Sequence, residues 1–552
     1  MNAPATTTPA IVAERGAQRL PRLALLLLCA AYLLPGLFGR DPWRNADLSS
    51  FGFMASIAEG HAPWWQPAIA GILAPGGPLP YWIGALAIKA LPFLDPAFAA
   101  RLPYALALIG VMVLVWYSAF HLARTEAAQP VAFAFGGEAQ AVDYARALAD
   151  GALLALVATL GLLQLGHETT PELLQLLAIT LFLYGFAAAP YLIGKSRAAL
   201  LISLPMLAAS GAPAVAATLS GLGLLLCLRS SYPQVRALLP WLLGAGALSV
   251  AAALGFDAWA WRLAVKPRWV SVRQAVTLLA WFCWPAWPLA LWTLWRWRSH
   301  WQRRHIFLPL ITALVPTVTC LLMDGSDRAL LLALPALAVL AAFALPTLKR
   351  SIGAAIDWFA VFAFSAGALF IWVYYLSMQT GWPTQPLVNL RKLAVGFEPR
   401  FSLLALVVAI AGSAAWLALV RWRTARHQHA LWKTLVLSAG GVSLGWLLAL
   451  TLMLPPIDYA RSNNPLIGRL RAHLPADANC VAAPDQALGT LAALEFIGRW
   501  KVEATKPLKA TACQYALQAS TSVVPEGWEV VALVRRPSDR VGSLAVLRRP
   551  ST

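Results

Sequence analysis

Charge is scarce in this chain. Lys, Arg, Asp and Glu make up 12% of its 552 residues, against 59% hydrophobic residues, where a soluble globular chain carries about 25% charged residues. That deficit excludes an ordinary soluble protein. Acids are the scarcer sign: 24 Asp and Glu face 43 Lys and Arg, for a net charge of +19. The excess does not describe a nucleic-acid binder, because the basic residues form no single patch. They recur between apolar runs, as in the positive-inside pattern that orients membrane helices. Cysteine is sparse too, with six in all, and no Cys/His spacing resembles a zinc site. No metal ligand set is assigned and no motif demands a cofactor; the residues leave a divalent-ion requirement open.

Long apolar runs are what the chain has in abundance. Runs of roughly 17–25 residues cross a bilayer as helices, and a helix satisfies its own backbone where no water is available. Read in order, they give an all-α polytopic membrane domain over 1–454 with about thirteen crossings, then a small α/β domain over 455–552. The start of the chain resembles a signal peptide but lacks a convincing cleavage site, so the run 23–38 is expected to stay as the first span. The run 81–94, broken by Lys89 and Pro92, is too short to cross and is expected to be interfacial or re-entrant. Counting it as a span would put every later arginine cluster on the wrong side. The run 276–294 is expected to be a single returning span. With the N-terminus inside, the loops 39–101, 166–172, 255–273, 324–328 and 381–400 share the outer face with the tail. In the tail, helices are expected over 465–474 and 486–497, and strands over 480–483, 528–534 and 543–547. Cys29, Cys227, Cys283 and Cys320 lie in apolar runs, while Cys480 and Cys513 are alone in the tail and are expected to pair there.

The chemistry concentrates on the outer loops. The stretch 39–82 holds Asp41 and Asp47, Arg40 and Arg44, and a cluster of Trp and Pro. The run His167-Glu168-Thr169-Thr170-Pro171-Glu172 starts a returning helix. Arg262, Lys266, Arg268 and Arg273 alternate with Trp259, Trp261 and Trp269, and Asp324, Asp327 and Arg328 form a short turn. Each has a purely structural reading: Trp and Arg at the headgroup level, Pro171-Glu172 as an ordinary helix start, Asp324 and Asp327 as turn residues. Together they offer what glycosyl transfer from a phospholipid needs, a carboxylate for the acceptor proton and cations for the leaving phosphate. A transporter or flippase for lipid-linked sugars is the rival class, but it calls for acids inside the spans, where this chain has almost none.

The first loop, GRDPWRNADLSSFG, followed by AEGHAPWWQP and GPLPYWIGALA, resembles the opening of bacterial lipid-to-lipid aminoarabinose transferases and their protein-O-mannosyltransferase-like relatives. Arg101-Leu102-Pro103, LGHETTPELLQL, WFCWPAWPLALW and DRALLLALPALAVLAA follow in the family's order. The resemblance implies a GT-C fold in a bacterial inner membrane, with the C-terminal domain in the periplasm. It implies a sugar donor on polyprenyl phosphate, undecaprenyl phosphate in bacteria, and a glycolipid, glycan or protein acceptor. By position, Asp47 matches the second acid of the family's first-loop pair, and Glu172 an acid after the third to fourth crossing. Asp47, Asp41 and Glu172 are the catalytic candidates. Arg44, His167, Glu168, Arg262, Lys266, Arg268 and Arg328 are the substrate-binding candidates. Two departures stand out: Ala46 replaces the first acid, and Pro75-Gly76-Gly77-Pro78 lacks the lysine that some relatives carry. They leave a catalytically degenerate member as an alternative. Asp47→Asn is expected to cut turnover by about 10²–10⁴ with folding unchanged.

Overall fold

The computed structural model describes residues 8–43, 45–258, 272–424, 430–475, 478, 480–537, 539 and 543–550. The first part of the chain forms α1 (Arg22–Leu33), α2 (Ala46–Glu59), α3 (Leu79–Ala90), α4 (Pro96–Ala123), α5 (Ala141–Ala158), α6 (Leu160–Leu165) and α7 (Pro171–Ala188). Among the described residues six helices are long and apolar enough to cross a membrane: α4, α7, Pro233–Gly255, Arg304–Leu322, Arg350–Thr380 and Leu403–Thr424. Two bent pairs raise that to eight. The other five of the thirteen expected segments are present as shorter or more polar helices, namely α1, α5, Ile193–Ala209, Pro213–Arg229 and Leu334–Ala342. At 12 residues, α3 is about 18 Å long, too short to cross, and it lies against α2. Gly84 permits that approach, since a Cβ there would sit 2.2 Å from Met54 Sδ.

The run 276–294 is not the straight span expected from its hydropathy. It breaks between Val276–Phe282 and Ala286–Arg296 with a 99° bend. Pro285 sits at the break, where it can offer no backbone N–H to continue a helical ladder.

Burial separates two kinds of helix. Every residue of α5 from Ala147 to Ala158 is buried, and 78% of α7's most apolar window is. Helices apolar all round sit in the middle of a bundle. Arg350–Thr380 and Leu403–Thr424 are only 11% buried in the same measure and present Trp358, Phe362, Leu369 and Leu404 outward. Close packing holds this rim, as expected where lipid removes the hydrophobic drive between helices. Gly441 is packed so tightly on Phe364 that a Cβ would come within 2.1 Å of that ring.

The connections sort into two ends. At one end the first loop, the turn before α7, residues 327–328 and the start of the tail are joined by hydrogen bonds. The loop around Val395 joins them there, its carbonyl accepting from Tyr459 Oη. At the far end, Ala13 bridges to Glu138 and the Trp432 indole donates to Gln18 O at 2.7 Å.

The tail opens with helices Leu454–Arg461 and Asn464–Leu470 and builds a five-stranded mixed sheet. Its strands are β3 (Val481–Ala482), β4 (Val502–Glu503), β5 (Tyr515–Ala519), β6 (Glu529–Val534) and β7 (Leu544–Arg548), in the order β4-β3-β5-β7-β6; β1 (Ala68–Ile69) and β2 (Ile72–Leu73) form a separate hairpin in the first loop. β3 is parallel to β4 and β5, and β7 is antiparallel to β5 and β6. β4 and β5 were not expected from the sequence. The YALQA of β5 carries Ala and Gln, poor strand formers, and lies there because its neighbours bury it. Cys480 and Cys513 are disulfide-bonded, with Cα atoms 5.2 Å apart. The sheet domain seats on the first loop: Glu495 accepts from Ala70 N at 3.1 Å, and Arg499 pairs with Glu59 at 2.9 Å.

Candidate functional site

The site is built at the N-terminus of α2. Asn45 caps it at φ +72°, ψ −120°, a backbone conformation that costs about 1–3 kcal/mol and persists only where neighbours enforce it. Gly489 of the tail packs closely on this backbone, since a Cβ there would lie 3.1 Å from Asn45 N. The cap aims Asp47, in the first turn, back into the protein. Its Oδ2 accepts from Trp43 N at 3.1 Å and lies 3.3 Å from Arg40 Nη1. Its Oδ1 accepts from both Thr169 N at 2.8 Å and Thr169 Oγ1 at 2.7 Å. Burial alone would raise the Asp47 pKa. The Arg40 and Arg101 guanidiniums and the two Thr169 bonds outweigh it and hold the carboxyl below its ordinary value.

The Asp47–Arg40 pair is almost fully enclosed, its side chains 1% and 2% exposed. Two consequences bear on Asp47, expected as a catalytic base or an acceptor-orienting carboxylate. A carboxylate with a lowered pKa and four filled contacts is a weak proton acceptor, so its geometry suits orienting neighbours better than general-base work. Asp47→Asn also cannot leave folding unchanged, because it strands a buried guanidinium without its counter-charge.

Arg40 Nη2 donates to His167 O at 2.9 Å, and the Arg40 guanidinium lies 4.5 Å from the Trp43 ring. Arg101, at the start of α4, is also buried and donates to Leu37 O at 3.5 Å. Arg40 Nε and Arg101 Nη2 are buried without a hydrogen-bond partner. Both nitrogens therefore have unspent capacity toward an anion.

The turn before α7 carries the second cluster. Arg328 Nη2 donates to Glu168 Oε2 at 2.7 Å, and its Nη1 reaches Glu172 Oε2 at 3.2 Å and Thr170 Oγ1 at 3.3 Å. Gln164 donates to Glu168 Oε1 at 2.9 Å and accepts from Arg461 at 2.7 Å. Burial and the Asp47 charge raise the Glu168 pKa, and Arg328 and Gln164 offset this only in part. Glu172 is the more open of the two acids, 17% exposed at the side chain against 5% for Glu168. His167 faces inward: its ring nitrogens lie 2.7 Å from Leu163 O and 3.0 Å from Tyr32 O. Burial, the largest effect, pulls its pKa down to about 4. Both nitrogens face protein carbonyls, and the neutral ring can donate to only one of them at a time, so His167 packs the turn against α1 and reaches a substrate only through that turn.

Asp41 belongs to a third cluster. Its Oδ2 accepts from Ser462 Oγ at 2.6 Å and from Asn464 Nδ2, and its N–H donates to Asp458 Oδ1 at 3.0 Å. Asp458 also accepts from the Trp43 indole at 2.9 Å. Asp41 thus anchors the tail to the first loop and stands apart from the Asp47 carboxylate. Arg44, Arg262, Lys266 and Arg268 lie outside the described residues. Among the described residues no group of three or more His, Cys, Asp or Glu could hold a metal ion.

The structure adds Arg40, Arg101, Thr169, Gln164, Asp458 and Arg461 to the network. Arg101 left a legible signal, a charge at the edge of an apolar run. Arg40 was visible as a charge in the first loop; the rest left no signal, because threonine, glutamine and tail charges are common on any surface.

No protein-family model matches the chain, and no curated protein sequence matches it. Among solved structures, ArnT from Cupriavidus metallidurans superposes with a TM-score of 0.60 in its undecaprenyl-phosphate-bound state and 0.61 in its apo state. Identity is 15% in both, over 95% of this chain and 97% of that one. The archaeal oligosaccharyltransferase AglB from Archaeoglobus fulgidus, in complex with an inhibitory peptide and a dolichol-phosphate, aligns at 0.48 with 11% identity, over 88% of this chain and 63% of that one. That likeness is too loose to carry an argument. The ArnT superposition spans both the helical bundle and the tail, and this chain has the GT-C polytopic fold with a small C-terminal sheet region.

Proposed function

We propose that this protein is a polyprenyl-phosphate-dependent glycosyltransferase, moving a sugar from the lipid carrier to a lipid, glycan or protein acceptor at the periplasmic face of a bacterial inner membrane. The observation that carries the reading is the pair of buried guanidiniums, Arg40 and Arg101, with unpartnered nitrogens beside an ionised Asp47. It lies in a fold that superposes on ArnT, which was crystallised with undecaprenyl phosphate.

In this reading Arg40 and Arg101 stabilise the phosphate that leaves. Asp47 does not touch substrate; it positions Arg40 and, through Thr169, the turn that carries Glu168 and Glu172. Glu172 has one oxygen on Arg328 and takes the proton from the acceptor hydroxyl as its oxygen attacks the anomeric carbon. The sugar–phosphate bond breaks and its electrons leave on the phosphate. Arg328 holds Glu172 in place. Arg44, Arg262, Lys266 and Arg268 provide further cations for the donor, and Asp41 supports the site from the tail side.

The test is transfer in proteoliposomes from a radiolabelled undecaprenyl-phosphate sugar. Glu172→Gln should lower kcat by about 10²–10⁴ with donor KM little changed, while Arg101→Gln should mainly weaken donor use. Wild-type turnover by Glu172→Gln would remove it as the proton acceptor. A wild-type protein that binds the donor but never transfers sugar would make this a non-catalytic relative.

A further inference from the structure

The far end of the bundle holds a second feature, which the proposed transfer reaction does not use. A cavity of about 730 Å³ opens between Pro213–Arg229, Arg304–Leu322 and the end of α7. It is well separated from the outer site. On α7, Pro171 starts the helix beside Glu172 and Phe186 lines the cavity; those 15 residues span about 22 Å.

The cavity is amphipathic. Arg229, Arg303, Arg304 and Tyr232 gather at one end, and among the described residues no Asp or Glu lines it. None of the three arginines is in an ion pair among the described residues. Arg304 is fixed, with Nη2 donating to Ala187 O at 3.1 Å and its guanidinium 5.4 Å from the Tyr232 ring. Its Nη1 is buried with no hydrogen-bond partner. The other end is apolar, and Leu225 and Phe307 are 49% and 39% exposed along the open wall. A cationic end with unspent donors, continuous with an apolar wall open toward the surrounding lipid, complements one kind of molecule: a phosphate headgroup with acyl chains. Basic pockets between membrane helices hold such headgroups.

We propose that this cavity binds one anionic acyl phospholipid from the leaflet opposite the outer site. Its phosphate rests on Arg229, Arg303 and Arg304, and a chain lies along Leu225, Phe307 and Ile311. The site is structural or regulatory and takes no part in sugar transfer.

Full-length protein, delipidated in detergent, is titrated with phosphatidylglycerol and read by native mass spectrometry. One lipid should be retained per chain, and phosphatidylcholine should not compete. Arg229 and Arg303 are exposed and spare the backbone contacts of Arg304, so Arg229→Gln/Arg303→Gln should fold and elute as wild type. Retention should weaken about fivefold per arginine, about 25-fold together. A phosphatidylglycerol carrying a photoactivatable acyl chain should label residues 222–235 or 302–311. Unchanged retention in the double variant, equal retention of phosphatidylcholine, or labelling only elsewhere would overturn the proposal. Displacement by inorganic phosphate would make it a free-anion site, and preference for undecaprenyl phosphate a carrier-lipid site; either also overturns it.

Discussion

The loop cluster around Asp47 and Glu172 and the cavity at the far end use arginine in opposite ways, although elsewhere at the far end Arg19 and Arg423 do pair with acids. At the outer end Arg40 meets Asp47 and Arg328 meets Glu168 and Glu172. At the far end Arg229, Arg303 and Arg304 line a cavity with no acid on its wall. A charge enclosed in protein needs a counter-charge and filled hydrogen bonds, while a charge at a headgroup surface has water and phosphate for company. The same residue type is therefore paired with acids in one cluster and left to face a cavity in the other.

The largest test of this contrast is Asp47→Asn. It should destabilise the protein by about 3–5 kcal/mol by leaving Arg40 buried and unpaired, and also depress transfer. Replacing both partners together, Arg40→Met with Asp47→Leu, should restore much of the stability and none of the activity. Thermal unfolding in detergent read beside the transfer assay separates the two effects. A single mutant as stable as wild type would mean that the pair is not enclosed.

Next in size is the outer domain's own clamp. The disulfide closes a separation of 33 residues, worth about 3–4 kcal/mol in the chain-entropy model. Cys480→Ser with Cys513→Ser should loosen the sheet that holds Gly489 on Asn45. Hydrogen exchange should then rise across 481–548 and the first loop. Protection unchanged by the double mutation would remove the bridge from the site's support.

A smaller effect divides the outer acids by pH. Asp47 has a lowered pKa, so its stabilisation is fully present above its unfolded value of 3.8 and is lost only as pH falls through the lower folded value. Glu168 has a raised pKa; its ionised form is a burden at neutral pH that lifts as pH falls through the folded value, and is gone below the unfolded value of 4.5. From pH 7 to 4, the deficit of Asp47→Asn should hold constant. Over the same range wild type should gain on Glu168→Gln. Unfolding midpoints of the three proteins across that range decide it.

The smallest expected effect is at the far end. Arg303 is exposed and pairs with no acid among the described residues, so Arg303→Gln should shift stability in lipid-free detergent by no more than about 0.5 kcal/mol. A large loss there would erase the contrast between the ends.

Much of the architecture was legible before folding was considered. Apolar length marked the crossings, Lys89 and Pro92 marked the segment too short to cross, and the drop in hydropathy after 454 marked the tail. The candidate site was legible only in part. Asp47, Glu168, Glu172 and Arg328 stood out as charges on loops in a chain poor in charge. Which acid met which base was not legible, because Asp47 and Thr169 are separated by 122 residues and Asp41 and Ser462 by 421. The bend at Pro285 escaped hydropathy, which counts apolar residues and is blind to a missing N–H.

By itself the sequence determined that this is a helical membrane protein with a small C-terminal sheet region, since helices satisfy the backbone of so many apolar runs. It also determined the loops on which chemistry could occur, since charge is too costly elsewhere. Only the tertiary structure decided that Asp47 is buried and paired while Glu172 stays partly open. Burial and pairing depend on which distant loops close over a side chain, and no local pattern encodes that closure.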